Sequence, residues 1–146
     1  LDTGRAYHGL GRHQEALSCW QEAARLDPAK GEPHHLIGLA HSALGQEIPA
    51  VQAYLQAIKL QIDDPGVYYN LGVCYGRQGK LAVAHYNTGV YFLKSYDFQT
   101  ARYHFLKADQ LAGNDQGLKN RIHEAMRSLP KESFFSTPSQ DSKGRK

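Results

Sequence analysis

The feature that most constrains this chain is a spacing. Gly4, Tyr7, Ala16, Trp20, Ala23 and Pro28 are echoed 34 residues later by Gly38, His41, Ala50, Tyr54 and Ala57, and in part again by Gly72, Tyr75 and Ala84. Small and aromatic residues returning at that interval mark a repeated supersecondary unit, a helix–turn–helix pair. One pair cannot bury its apolar face alone, so successive pairs must stack, and stacking generates a long groove. The fold class is therefore all-α, and function is sought in the groove before any catalytic cluster.

In the first unit a helix over residues 1 to 10 precedes a second from His13 to Leu26, which ends at Asp27-Pro28 because the residue before proline is driven out of the helical region. The second unit runs from Glu32 to Leu44, turns at Gly45 and continues from Glu47 to Leu60, with Pro33 and Pro49 tolerated in first turns. Asp63-Asp64-Pro65 punctuates, and a third unit begins near Gly66 and pauses at Gly79. There the period slips. Gly89 and Phe92 have the look of a fresh first helix, yet Gly89 lies only 17 residues after Gly72. Residues 80 to 95 are expected to form one helix with two roles, closing unit three through Ala84 and opening unit four through Gly89; the alternative is two short helices broken near Asn87-Thr88-Gly89. Ala101, Phe105 and Ala108 mark the helix that follows. After Gly113, Asn114 or Asp115 can cap a last helix with Leu118, Ile122, Ala125, Met126 and Leu129 on one face, and Lys119, Arg121, His123 and Arg127 on a solvated one. That helix is read as the terminal cap of a right-handed solenoid of about eight antiparallel helices spanning residues 1–129. Residues 130–146 offer only Phe134-Phe135 to bury and are expected to be disordered. The pattern is already under way at Leu1, so the chain is read as part of a longer protein.

A hydrophobic content of 41% over 146 residues suffices for a continuous core without staples. No 18-residue apolar run is present, so no membrane insertion is expected. The net charge of +3 comes from scattered Lys and Arg, apart from Lys143, Arg145 and Lys146, which argues against a nucleic-acid partner. Cys19 and Cys74 lie in different helices at core-leaning positions and are not expected to pair. Eight histidines invite a metal, but on one helix ligands must stand three or four residues apart, and only Glu32 and His35 do. In His123-Glu124 the second histidine of the zinc motif is replaced by Arg127. No Ser or Cys occupies a Gly-rich elbow, and no phosphate-cradling loop is visible. No catalytic residue, cofactor or metal is therefore expected, and a monomer is favoured.

The spacing of these residues resembles the tetratricopeptide repeat (TPR). Narrower still, the run Leu71 to Gly79, then Ala84-His85-Tyr86, then Tyr91 to Ala101 and Phe105 to Ala108 resembles the C-terminal TPR domain of periplasmic zinc metalloproteases of the BepA/YfgC type. The resemblance covers residues 66 to 129 and includes the half-period slip; Ser95 stands where that family usually has Gly, and Thr88-Gly89 interrupts an Ala-rich stretch. It implies a parent with an upstream H-E-x-x-H protease domain, a periplasmic location, and a module that recruits partners or substrates in outer-membrane protein quality control. Without it, the alternative is a scaffold TPR in another assembly. Arrays that clamp the carboxylate of heat-shock chaperone tails use Lys and Asn where this chain has His35, Leu39 and Asn70. Only the Asn matches, so such a clamp is disfavoured.

The inner wall of a TPR array comes from first-helix positions 2, 5, 9, 12 and 13, which here gives Arg5, His8, Glu32, His35, Leu39, Ser42, Tyr69, Val73 and Arg77. These nine form the expected protein- or peptide-binding groove. Tyr69, Val73 and Arg77 follow one another at i, i+4 and i+8, opposite Leu71 and Tyr75, and offer an aromatic anchor beside an Arg able to bond carboxylates.

Overall fold

The computed structural model describes residues 1–131, and the expectation of a disordered 130–146 tail falls almost wholly outside them. Eight helices follow in order: α1 (Asp2–Gly9), α2 (His13–Leu26), α3 (Gly31–Ala43), α4 (Glu47–Lys59), α5 (Gly66–Arg77), α6 (Leu81–Lys94), α7 (Phe98–Leu111) and α8 (Gln116–Arg127). No strand occurs among the described residues. Helices sit within a residue or two of the expected positions because their ends are chemical. Gly11, Gly45, Gly79 and Gly113 occupy the left-handed region at φ between 55° and 74°, where a side chain is strained, and each breaks the chain between two helices. Asp97 caps α7 by accepting from the Thr100 N–H at 3.1 Å, and Asp115, rather than Asn114, caps α8 by accepting from Leu118 N–H at 2.9 Å.

Helix pairs lock through one rule. A Cβ placed on Gly4 would collide with the Trp20 indole, on Gly38 with the Tyr54 ring, on Gly72 with Thr88 Oγ1 at 2.6 Å, and on Gly89 with the Phe105 ring at 2.7 Å. In every case the partner lies 16 residues downstream. The missing side chain lets the large ring of the next helix lie against the backbone, and Trp20, Tyr54 and Phe105 are each buried to 1% exposure or less. Trp20 also donates its indole N–H to the Leu1 carbonyl at 3.2 Å.

The slip is resolved as one unbroken helix. Asn87 and Thr88 bond back to the carbonyls of Val83 and Ala84 at 2.8 and 3.0 Å, and α6 continues through both to Lys94. On one side α6 receives Gly72 of α5; on the other, its own Gly89 receives Phe105 of α7. α3 touches α5, whereas past the slip α6 touches α8. The inner row of helices thus passes from α5 to α6 without the usual intervening helix.

Core residues form three clusters in chain order. Ala16, Leu17, Trp20, Leu36, Ile37, Ala40 and Ala53 make the first, and Ala50, Val51, Tyr54, Ala57, Val67, Leu71 and Cys74 the second. Leu39 packs against both. Phe105 with Ala101, Ala108, Ala112, Leu118, Ile122 and Leu129 makes the third, so α8 covers the apolar face of α7.

Candidate functional site: the inner face of α1, α3 and α5

Six of the nine residues placed on the inner wall from sequence line one cavity of about 300 Å³: His8 of α1, Leu39 and Ser42 of α3, and Tyr69, Val73 and Arg77 of α5. Ala43, Tyr54 and Asn70 complete it. Tyr54 escaped the sequence reading because its position repeats that of Trp20, a packing residue; it lines the cavity although it is only 1% exposed. Tyr69 is 46% exposed and meets the Tyr91 ring at 5.3 Å, which extends the aromatic surface onto α6.

The other three are engaged between repeats. Arg5 of α1 forms an ion pair with Glu32 of α3. His35 is not a wall residue at all: it is 7% exposed, its ring stands edge-on to Tyr54 at 5.8 Å, and burial lowers its pKa against the opposing pull of Asp64 and Glu32. The Asn70 amide N–H donates to His35 Nε2 at 3.0 Å, which leaves the ring proton on Nδ1, 3.3 Å from Asp64 Oδ2. Two of the three residues weighed as carboxylate-clamp positions, His35 and Asn70, therefore satisfy one another.

At the far end of the cavity a second polar knot ties α3, α4 and α5. Arg77 Nη1 donates to Ser42 Oγ at 3.1 Å and to Glu47 Oε1 at 3.0 Å, with the Glu47 side chain 19% exposed and Arg77 54%. Arg77, read from sequence as an Arg able to bond carboxylates, is thus partly occupied by a carboxylate of its own fold. Glu47 Oε2 is buried without a hydrogen-bond partner. Burial, with Glu47 adding to it, pushes the Cys74 thiol up to about 11, so this sulfur stays protonated and unreactive near neutral pH. Cys74 and Tyr54 make the floor of the knot; burial raises the Tyr54 phenol's pKa as well.

The arrangement is a concave surface with an aromatic anchor, an aliphatic floor at Leu39 and Val73, and polar groups at both ends. It suits recognition of a chain segment, with Asn70, Ser42 and Arg77 as hydrogen-bonding partners along the wall. Among the described residues no helix is long and apolar enough to cross a membrane.

A model of the TPR repeat matches residues 4–45 and 49–79, and a second tetratricopeptide-repeat model matches residues 32–63. BBSome complex member BBS4 of Xenopus tropicalis is 34% identical over 65 residues, 44% of this chain. That match takes in only 13% of the curated relative's length. The solved structure of MamA superposes with a TM-score of 0.65 at 21% identity, over 87% of this chain and 72% of that one. The type III secretion chaperone SycD of Yersinia enterocolitica, solved with a peptide of the translocator YopD, superposes with a TM-score of 0.56 at 18% identity, over 88% and 87%. At those identities the structures speak for the fold, and the repeat models, which between them take in every residue from 4 to 79, speak for the family. With the 34-residue period, the glycine–aromatic locks and the stacked helix pairs, they show that this chain belongs to the tetratricopeptide-repeat family.

Proposed function

We propose that this chain is a protein-interaction module that binds an extended or helical peptide against the inner faces of α1, α3 and α5. The observation that carries the reading is the convergence of His8, Leu39, Ser42, Tyr69, Val73 and Arg77, drawn from three helices, on one cavity. The SycD structure, solved with a translocator peptide, lends support by fold. Binding energy would come chiefly from burying an apolar ligand side chain beside Tyr69 and Val73, with Arg77 and Asn70 fixing the ligand's backbone.

The test begins with peptides selected from a displayed library against the whole chain. Affinity for Tyr69→Ala, alone and with Arg77→Gln, is then measured by fluorescence anisotropy, with circular dichroism to check helix content. Gln is used at position 77 because a carboxylate there would face Glu47. A loss of about tenfold or more in affinity, on the order of 1.4 kcal/mol, with unchanged helicity is expected. Selected peptides that bind the variants as tightly as the parent would remove the cavity from consideration.

A narrower form of the same reading makes the module the recruiting domain of a periplasmic zinc metalloprotease in outer-membrane protein quality control. Its support is the half-period block over residues 66 to 129 alone. Finding H-E-x-x-H in the coding sequence ahead of Leu1 is its direct test, and a different upstream domain would leave a scaffold for another assembly.

A further inference from the structure

α5 carries rings on two sides. Tyr69, Val73 and Arg77 line the groove cavity, while Tyr68 and Tyr75, seven residues apart, share the side turned away from it. There each meets a cation: Lys94 Nζ lies 5.5 Å from the ring centre of Tyr68, and Lys80 Nζ 5.8 Å from that of Tyr75. α8 adds a third pair, with the Arg121 guanidinium carbon 5.3 Å from the ring centre of Tyr86 on α6. Burial raises the pKa of all three phenols, and the Arg121 charge pulls those of Tyr75 and Tyr86 back, so one guanidinium serves rings of both α5 and α6.

The charge around these pairs is one-sided. α5 and α6 contain no Asp or Glu, and α8 contains only Glu124, which faces Tyr86. In the first repeat and its turn, by contrast, Arg5, Arg12, Arg25 and Lys30 each hold a carboxylate. Among the described residues Lys80, Lys94 and Arg121 hold none. All three are exposed, and their tyrosines are half-buried. An exposed cation–π contact is weak, so each cation is oriented by its ring and still able to take an anion. Lys80 also borders a cavity of about 520 Å³ whose apolar lining is Leu81, Ala82, Val83, Leu111 and Leu118. Asp115 stands at the same cavity, with its carboxylate accepting Leu118 N–H as the α8 cap.

We infer that Lys80, Lys94 and Arg121, each set against a tyrosine ring on the α5–α6–α8 face, form a second docking surface, which takes an acidic, leucine-bearing segment of a partner protein. Tyr68 and Tyr75 lie about 10 Å apart along α5, so two carboxylates a few residues apart in an extended segment match the lysine pair. An apolar side chain between or beside them enters the cavity next to Lys80. Three cations with Glu124 and Asp115 nearby suit a few discrete carboxylates better than a polyphosphate chain, whose affinity rests on many phosphate contacts. Residues 132–146 do not supply such a segment, since Glu132 and Asp141 are outnumbered by Lys143, Arg145 and Lys146. The surface lies outside the groove cavity, and different variants test the two.

The probe is a fluorescein-labelled synthetic peptide rich in Glu and Leu, with its Gln-for-Glu analogue as control, titrated with the whole chain at low ionic strength. The Glu peptide should bind at least tenfold more tightly than the analogue and weaken as salt is added. Lys80→Gln/Lys94→Gln should lower its affinity at least tenfold with helicity unchanged by circular dichroism, and Arg121→Gln should lower it further. Lys59→Gln/Lys107→Gln, which removes the same charge elsewhere, should leave it within about twofold of the parent. Equal losses from the two lysine pairs, an analogue bound as tightly as the Glu peptide, or a single-stranded oligonucleotide that binds more tightly and displaces the peptide would overturn the assignment.

Discussion

At the scale of single residues, polar groups in this repeat array act as fasteners between neighbouring units. The Arg77–Glu47 pair is the clearest, since the carboxylate is mostly buried while the guanidinium is half exposed. Arg77→Ala should cost about 1–3 kcal/mol by leaving Glu47 unpaired, a penalty read as a lower midpoint in urea unfolding. Substituting Glu47→Gln in the Arg77→Ala background should recover part of it. A double variant no more stable than the single one would show that Glu47 is not the group penalised. Buried histidine makes a second residue-scale prediction. Burial depresses the pKa of His35 in the fold, as it does for His8, His34, His85 and His104. The unfolded chain therefore takes up these protons first, near the ordinary value of about 6.5. Stability is fully present above that pH and is lost as pH falls below it towards the folded-state values. Melting temperature followed from pH 7.5 to 5 should fall, and His35→Gln should flatten part of the fall; a melting temperature unchanged across that range would contradict the neutral-histidine account.

Between elements, the decisive device is a glycine facing a ring 16 residues on. Gly38→Ala would drive a methyl into Tyr54, which has no room to retreat at 1% exposure, so it should destabilise by about 1–3 kcal/mol. Gly76 offers an internal contrast, because a Cβ there would meet nothing nearer than Ala84 Cβ at 4.0 Å. Gly76→Ala should stabilise α5 by up to about 1 kcal/mol through helix propensity alone. Thermal unfolding of the two variants side by side should show shifts of opposite sign, and equal shifts would mean that helix packing does not depend on the glycine. Trp20→Ala belongs to the same scale and should cost about 3–5 kcal/mol by opening a cavity between α1 and α2.

Among the described residues the core is a line of three clusters, and each helix pair in such a line is stabilised by the neighbours it stacks on. α8 buries Leu118 and Ile122, and the chain just past it buries Leu129, against Phe105 and Ala108. Losing three such side chains at roughly 1.5–3 kcal/mol each rivals the stability of an ordinary domain. A chain truncated after Gly113 should lose its cooperative melt. A sharp transition within a few degrees of the parent would show that α8 is an appendage and not a cap.

The sequence by itself determined the eight helices, their ends and their pairing, because each depends on local chemistry or on a fixed period: glycines in left-handed turns, aspartate caps, and a glycine and its ring one helix apart. It also carried the two-role helix over residues 81 to 94, since Ala84 keeps the 34-residue spacing from Ala50 while Gly89 opens a new register 17 residues after Gly72. The tertiary structure alone decided which inner-wall residues stay available. His35 sinks into the core, Arg5 turns to Glu32 and Arg77 to Glu47, because a helix position fixes the direction of a side chain but not the neighbour it meets across the stack. Only the fold brought Arg121 to Tyr86, for the same reason: contacts between residues of different helices depend on the axial offset of two packed cylinders, which a repeat period in one dimension does not encode.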